Sequence, residues 1–397
     1  MIKYLSPASA IHSVNPYLLA RLEQAQKTLP EATFKSAYDL FAAACESLKM
    51  QPGFLQRLRQ QSLFPLANSS KAELLQILAT YADKAGMPPE ARSTMLGELA
   101  DRIQLVRAFD DPDRVVDSVV EKVAEAMQRF PRTKADIECG KNPGDVLDPF
   151  IVVAAQVLLY EDAFGEAIQG LAAHKALMMI EDLVGHLHED VIGAMRGNVR
   201  VPEPRGADQE KIHPVTNPFP GADIMQPPWS DKRRLRFYQV KSKTGSAKGG
   251  DGKRLGDQLN LLRKTYAGDT FYLALIGNTL KGHRSMAGVL GASPSTIVAV
   301  GEAAFVELTG SPTGAELLLR VYQAAFRRAA GKQKYSLRAA AKAIAGSFRA
   351  AASLEDGDFL ITLLRDVTNG PAANQVSTLF LQARNKLGRA SPTKRGR

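Results

Sequence analysis

The chain has 397 residues, 45% of them hydrophobic and 23% charged, a balance that excludes a disordered or low-complexity protein and allows two or three domains with cores of their own. Lys and Arg outnumber Asp and Glu by 51 to 41, and the resulting formal charge of +10 is compatible with a polyanionic partner. No apolar run approaches the roughly 20 residues of a membrane span, no signal-peptide pattern opens the chain, and Cys45 and Cys139 lack CxxC spacing and a histidine cluster; a cytoplasmic protein with two buried free thiols is expected.

The first third reads as helical. Residues 16–28, 32–49, 71–85 and 113–129 carry apolar side chains at three- and four-residue spacing. Ser69 and Ser70 precede KAELLQILATYA, and Asp111 with Pro112 opens the next helix as cap and first turn. A longer helical stretch is expected from about 148 to 195, broken near Phe164–Gly165. The segment 197–230 holds Pro202, Pro204, Pro214, Pro218, Pro220, Pro227 and Pro228, each of which removes a backbone donor, so it is not one helix. RFYQVKSK then alternates and favours a strand, RLGDQLNLLRKTY is helical, TFYLALIGN and STIVAVGEAAFVELTG contain further strands, and GAELLLRVYQAAFRRAA is helical again. The expected organisation is a helical domain over 1–135, an α/β domain with a mixed central sheet over 136–330, and C-terminal helices with a basic tail over 331–397.

Charge is concentrated. Between Asp231 and Lys264 there are eleven Lys/Arg and three Asp, and the last stretch, 381–397, has six basic residues and no acid. Inside the first of these regions, Gln239 and Lys241 stand two apart on the expected strand and therefore face one side. Tyr238 and Val240 would then face the core. If ADIM pairs with RFYQVK, Asp223 comes close to Gln239. A carboxylate and a side-chain carbonyl are hard oxygen ligands suited to Mg²⁺. Such an ion polarises a phosphate and acidifies a bound water, while a lysine orients that water and offsets developing charge.

Asp223 followed by Gln239-Val240-Lys241 resembles the PD-(D/E)XK nuclease signature, in the QxK variant seen in Mrr-like restriction nucleases. Ala222 stands where the family's proline is usual, and Gln239 where it has an acid. The resemblance implies metal binding by Asp223, Gln239 and the Val240 carbonyl, and action of Lys241 at the attacking water. The family often places a glutamate on the helix before the first strand; Gly185-His186-Leu187-His188-Glu189 is similar to its arrangement, with Glu189 first and Glu181 second in line. The implied protein has a restriction-endonuclease-like α/β core. It is a Mg²⁺-dependent, sequence-specific endonuclease acting on double-stranded DNA, and a homodimer because a duplex needs two cuts.

Ser242, Lys243, Lys248, Lys253 and Arg254 follow the motif and are candidates for phosphate contacts. The glycine-rich TGSAKGGDGKR does not satisfy the phosphate-loop pattern, since Ala247 and Arg254 stand at its Gly and Ser/Thr positions; no nucleotide cofactor is expected. His186 and His188 point about 200° apart on a helix and are expected to be exposed. Trp229 in its PPWS loop is expected to anchor the core. Two other descriptions stand beside the nuclease: a non-catalytic DNA-binding protein, and an all-helical scaffold, which two or more strands between Tyr238 and Leu308 would exclude.

Overall fold

The computed structural model describes residues 2–63, 66–129, 149–204, 211–243, 251–276, 284–333, 338–339 and 341–346. Lys248, Cys139, the centre of the glycine-rich loop and the basic tail lie outside the described residues. The fold is mixed α/β. A five-stranded mixed sheet runs in the order β1 (Val199–Arg200), β2 (Ile224–Gln226), β3 (Arg236–Lys243), β4 (Asp269–Ile276), β5 (Ile297–Val300). The first two pairings are antiparallel and the last two parallel. Each parallel connection carries a helix, as parallel neighbours require: Asp251–Tyr266 between β3 and β4, and Arg284–Ala292 between β4 and β5. Three strands between Tyr238 and Leu308 exclude the all-helical scaffold.

The helical first third forms as its caps dictate. Helix α1 spans Pro16–Lys27, with Asn15 accepting from the Tyr17 N–H. The expected single helix over 32–49 is instead two, α2 (Pro30–Thr33) and α3 (Ala37–Ser47). Ser36 and Asp39 form a capping box that starts α3 afresh. Ser70 and Glu73 do the same for α4 (Lys71–Lys84). Helix α5 (Pro89–Ala108) follows, and α6 (Pro112–Arg129) opens with Asp111 accepting from the Arg114 N–H at 3.0 Å. The expected break near 164 falls between α7 (Pro149–Leu159) and α8 (Phe164–Gly193), where Glu161 and Asp162 take positive φ. After Gly301, the segment read as strand continues as a helix, Glu302–Thr309. It buries Ala304, Phe305 and Leu308, a helical spacing that the β-favouring side chains of STIVAV had masked.

The chain divides into two compact units: residues 1–119 with 185–325, and residues 120–184 with 326–397. The first unit joins the N-terminal helices to the sheet, where a boundary at 135 had been expected. The reason is in the core. Leu18, Leu22 and Ala25 of α1 pack into the same cluster as Phe219, Met225, Phe237, Leu259, Leu262 and Tyr272. Phe219, Phe237 and Tyr266 stack in this cluster with centroids 5.3 to 5.7 Å apart. A second cluster within this unit is built mainly from helices, with Phe41, Leu55, Leu74, Leu78, Leu99 and Ile103 among its members. It also holds Cys45, whose thiol burial pushes up to about 11, so this cysteine is the inert buried thiol expected. In the second unit, Val152, Ala155, Ala167, Ile168, Ala172 and Ala176 are buried. No helix among the described residues is long and apolar enough to cross a membrane.

The other face of the sheet holds a buried polar chain. Tyr238 Oη donates to Gln226 Oε1 at 2.8 Å, and Gln226 Nε2 donates to Asn198 Oδ1 at 2.7 Å. Asn198 Nδ2 reaches the carbonyls of Ile192 at 2.8 Å and Leu308 at 2.9 Å. The chain of bonds ties β2 and β3 to the ends of two helices. Replacing Tyr238 with Phe leaves Gln226 Oε1 without its donor in a buried place. Urea denaturation of Tyr238→Phe is expected to show a loss of about 1–3 kcal/mol; an unchanged midpoint would show that the network adds nothing to stability.

Candidate active site

The antiparallel register sets the site. Ile224 lies opposite Tyr238 and Met225 opposite Phe237. Asp223, one residue before β2, is therefore beside Gln239 and Val240. The FPGAD turn delivers it there: Gly221 has φ +78°, and a Cβ on it would meet the Gln258 side chain at 2.9 Å, so both conformation and space call for glycine. The Asp223 N–H donates to the Tyr238 carbonyl at 2.8 Å, and the Asp223 carbonyl accepts from the Val201 N–H at 2.8 Å. Its backbone is thus pinned from both neighbouring strands.

The side chain continues what the short β2 leaves unfinished. Asp223 Oδ2 accepts from the Val240 N–H at 2.7 Å and from Gln239 Nε2 at 2.5 Å. A strand residue sends its N–H and C=O to the same edge. The Val240 carbonyl therefore faces the edge where Asp223 lies. Gln239, with its amide nitrogen committed to Asp223, keeps its carbonyl oxygen as an acceptor. Gln239 is itself buried, at 5% exposure, so the expected split into a core face and an open face at 238–241 is replaced by burial on both faces down to Lys241, which is half-buried.

Glu189 arrives from α8. It is half-buried, and its negative charge acts on Asp223. Glu181, the second choice for the helix acid, is exposed. Burial first, then repulsion from Glu189, pushes the Asp223 carboxyl up to about 7; Lys241, the Val240 N–H and Arg200 pull the other way. Four sequence-nominated residues, Glu189, Asp223, Gln239 and Lys241, are thus brought into one electrostatic neighbourhood. Among the proposed phosphate-contact residues, Ser242 is half-buried and its hydroxyl faces Gly185, where a Cβ would lie 3.8 Å away. Lys253 and Arg254 are exposed at the start of the helix Asp251–Tyr266.

Sequence reasoning missed Arg200. Its Nη2 pairs with Glu189 Oε2 at 2.8 Å and its Nε with Asp190 Oδ1 at 2.7 Å. On β1, Arg200 lies opposite Ile224, the neighbour of Asp223. Gly193 makes the approach possible, since a Cβ there would come within 2.5 Å of the Arg200 Cβ and 2.9 Å of its Cα. The signal in the sequence was no more than an arginine between two valines, two residues before Pro202.

The histidines diverge as helix geometry requires, but not both outward. His186 is exposed as expected; His188 is half-buried, with its Nδ1 2.8 Å from Tyr322 Oη. Burial lowers His188 to about 4. Trp229 is half-buried, with the Arg233 guanidinium 3.5 Å over its ring, rather than sealed in the core. His213 has a turn-forming role, its Nδ1 accepting from the Val215 and Thr216 N–H groups.

No protein-family model matches the chain, and no curated protein matches it.

The donor set suits a hard dication. Asp223 and Glu189 offer carboxylate oxygens, and Gln239 and Val240 offer carbonyl oxygens, which are the ligand types that Mg²⁺ prefers. Two acids held in partial repulsion also gain most from a bound cation.

Two titrations follow from these environments. Asp223 binds its proton more tightly in the folded protein than at its ordinary 3.8, so its ionisation costs folding free energy. That cost is absent below 3.8, grows as pH rises and is complete above about 7. Asp223→Asn is therefore expected to stabilise the metal-free protein at pH 8 by on the order of 1–3 kcal/mol, with no gain at pH 3.5; equal stabilities in EDTA at both pH values would show that the carboxyl ionises freely. His188 has the opposite sign. Its folded value lies below the ordinary 6.5, so its contribution is full above 6.5 and is lost as pH falls towards about 4. His188→Gln, which keeps a partner for Tyr322, should flatten this part of the urea-midpoint profile between pH 7.5 and pH 4.5; a profile parallel to wild type would refute the assignment.

Proposed function

We propose that this protein is a Mg²⁺-dependent endonuclease that hydrolyses phosphodiester bonds in double-stranded DNA at specific sequences, of the restriction type. The observation that carries this reading is the convergence of Asp223, Gln239, Lys241 and Glu189 at the edge where β2 gives out. That set, on an acid-bearing helix followed by a strand pair in a mixed sheet, is what the PD-(D/E)XK resemblance calls for.

Asp223, with the Gln239 and Val240 carbonyls, would hold the Mg²⁺. Glu189, kept in place by Arg200, closes the group on the helix side. A bound Mg²⁺ supplies Lewis-acid polarisation of the scissile phosphate and acidifies a water. Lys241 would orient the attacking water and offset the charge that gathers on the phosphate oxygens. Gln239 donates to Asp223 and so aims the carboxylate. The exposed Lys253 and Arg254, with Ser242, Lys243 and Lys248, are the proposed phosphate contacts; their positive charge positions the backbone without reading sequence. A homodimer supplies the second cut that a duplex requires.

The test uses purified wild-type protein and Lys241→Ala with a long, mixed-sequence duplex, in Mg²⁺ and in EDTA. Wild type is expected to give discrete fragments in Mg²⁺ and none in EDTA. Lys241→Ala is expected to be slower by roughly 10²–10³-fold, the scale of losing one group that stabilises transition-state charge. Binding by both proteins with no cutting of modified or unmodified DNA would instead mark a non-catalytic DNA-binding protein.

A further inference from the structure

His186, Glu189 and Glu203 form a second group of metal-ligating side chains beside the first. One ligand atom from each lies within 4.8 Å of the others. His186 and Glu189 are three apart on α8, so they share a helix face. Glu203 comes from the segment just after β1. Neither His186 nor Glu203 has a hydrogen bond or ion pair among the described residues, and both are exposed. Glu189 commits Oε2 to Arg200 and keeps Oε1. Among the described residues, the immediate surroundings hold the carboxylates Glu189, Asp190, Glu203 and Asp223 against the cations Arg200 and Lys241, so a further positive charge is electrostatically favoured.

We propose that His186, Glu189 and Glu203 bind a first-row transition-metal dication, of which Zn²⁺ is the probe of choice. The imidazole nitrogen decides the class. Mg²⁺ takes oxygen ligands and keeps much of its water, whereas one nitrogen with two carboxylates suits Zn²⁺ and its neighbours. Bonds of about 2.0–2.2 Å place tetrahedral ligand atoms roughly 3.4 Å apart. From separations of up to 4.8 Å the three atoms must therefore draw in by as much as about 1.4 Å, which the exposed His186 and Glu203 side chains permit. Glu189 would be common to this site and to the Asp223 group, leaving the fourth position for water. Zn²⁺ binding here does not depend on the nuclease reading, since it needs neither DNA nor Lys241.

The experiment is calorimetric titration of Zn²⁺ into the full-length protein, stripped with EDTA and dialysed, for wild type, His186→Ala, Glu203→Gln and Lys241→Ala. Thermal melts of all four check that each is folded; both altered ligands are exposed, so little change is expected. Lys241→Ala removes a positive charge from the surroundings and keeps all three ligands, so it should retain the wild-type stoichiometry and bind Zn²⁺ at least as tightly. His186→Ala and Glu203→Gln should each lose one equivalent or weaken it roughly tenfold or more, at least the loss that follows disturbing a ligand's support. An isotherm unchanged in either of these two variants overturns the site. Because heat of binding is read rather than cleavage, a protein that fails to cut DNA but shows this pattern would retain the metal site and lose only the nuclease proposal.

Discussion

The site depends on a substitution of side chain for backbone at one strand edge. Strand β2 pairs with β3 over only three residues, and beyond Tyr238 the edge of β3 has no backbone partner from β2. Asp223 Oδ2 takes the Val240 N–H in its place. An unpaired N–H in a buried position would cost about 1–3 kcal/mol, so the carboxylate satisfies the fold and is positioned by it in the same act. Gln239 follows, since its amide can reach the same oxygen only because Asp223 is held there.

Charge balance is the second constraint. Glu189 is brought towards Asp223 by the helix and kept there by Arg200, whose guanidinium engages Glu189 and Asp190 together. Arg200 reaches them because Gly193 has no side chain to obstruct β1. The result is a strand edge where, among the described residues, acids outnumber cations and where Asp223 holds its proton unusually late. Such an arrangement costs folding stability once Asp223 ionises, and strongly perturbed groups of this kind cluster at functional sites. It is the physical ground for both cation proposals, one on oxygen ligands and one that adds a nitrogen.

The supporting frame draws on distant parts of the chain. Helix α1 contributes Leu18 and Leu22 to the core beneath the sheet. On the opposite face, the Tyr238–Gln226–Asn198 chain fastens β3 and β2 to the carbonyls of Ile192 and Leu308. The residues that would do chemistry therefore stand on a strand clamped from both faces. His188 adds a further tie, between α8 and Tyr322, one residue before Glu189. Precision of this kind comes from rigid elements rather than loops.

Local signals were legible in the sequence wherever a short-range rule governs. Ser69 and Ser70, Asp111 with Pro112, and the alternation of RFYQVKSK marked two helix starts and a strand because capping and pleat act over two to four residues. The pairing of Asp223 with QVK was legible too, since a turn and two short β-favouring segments leave few registers. The break between α2 and α3 was missed although Ser36 and Asp39 carried the capping-box pattern. Other features exist only in three dimensions. The membership of α1 in the sheet's core, the burial of His188 against Tyr322, the grip of Arg200 on Glu189 and Asp190, and the meeting of His186 with Glu203 join residues whose separation in sequence carries no periodic or compositional trace. By itself the sequence determined the capped helix starts, the acid–amide–lysine motif and the strand that presents it. Only the tertiary structure decided which charges face one another, because electrostatic energy depends on distance and burial, and both are properties of the packed chain.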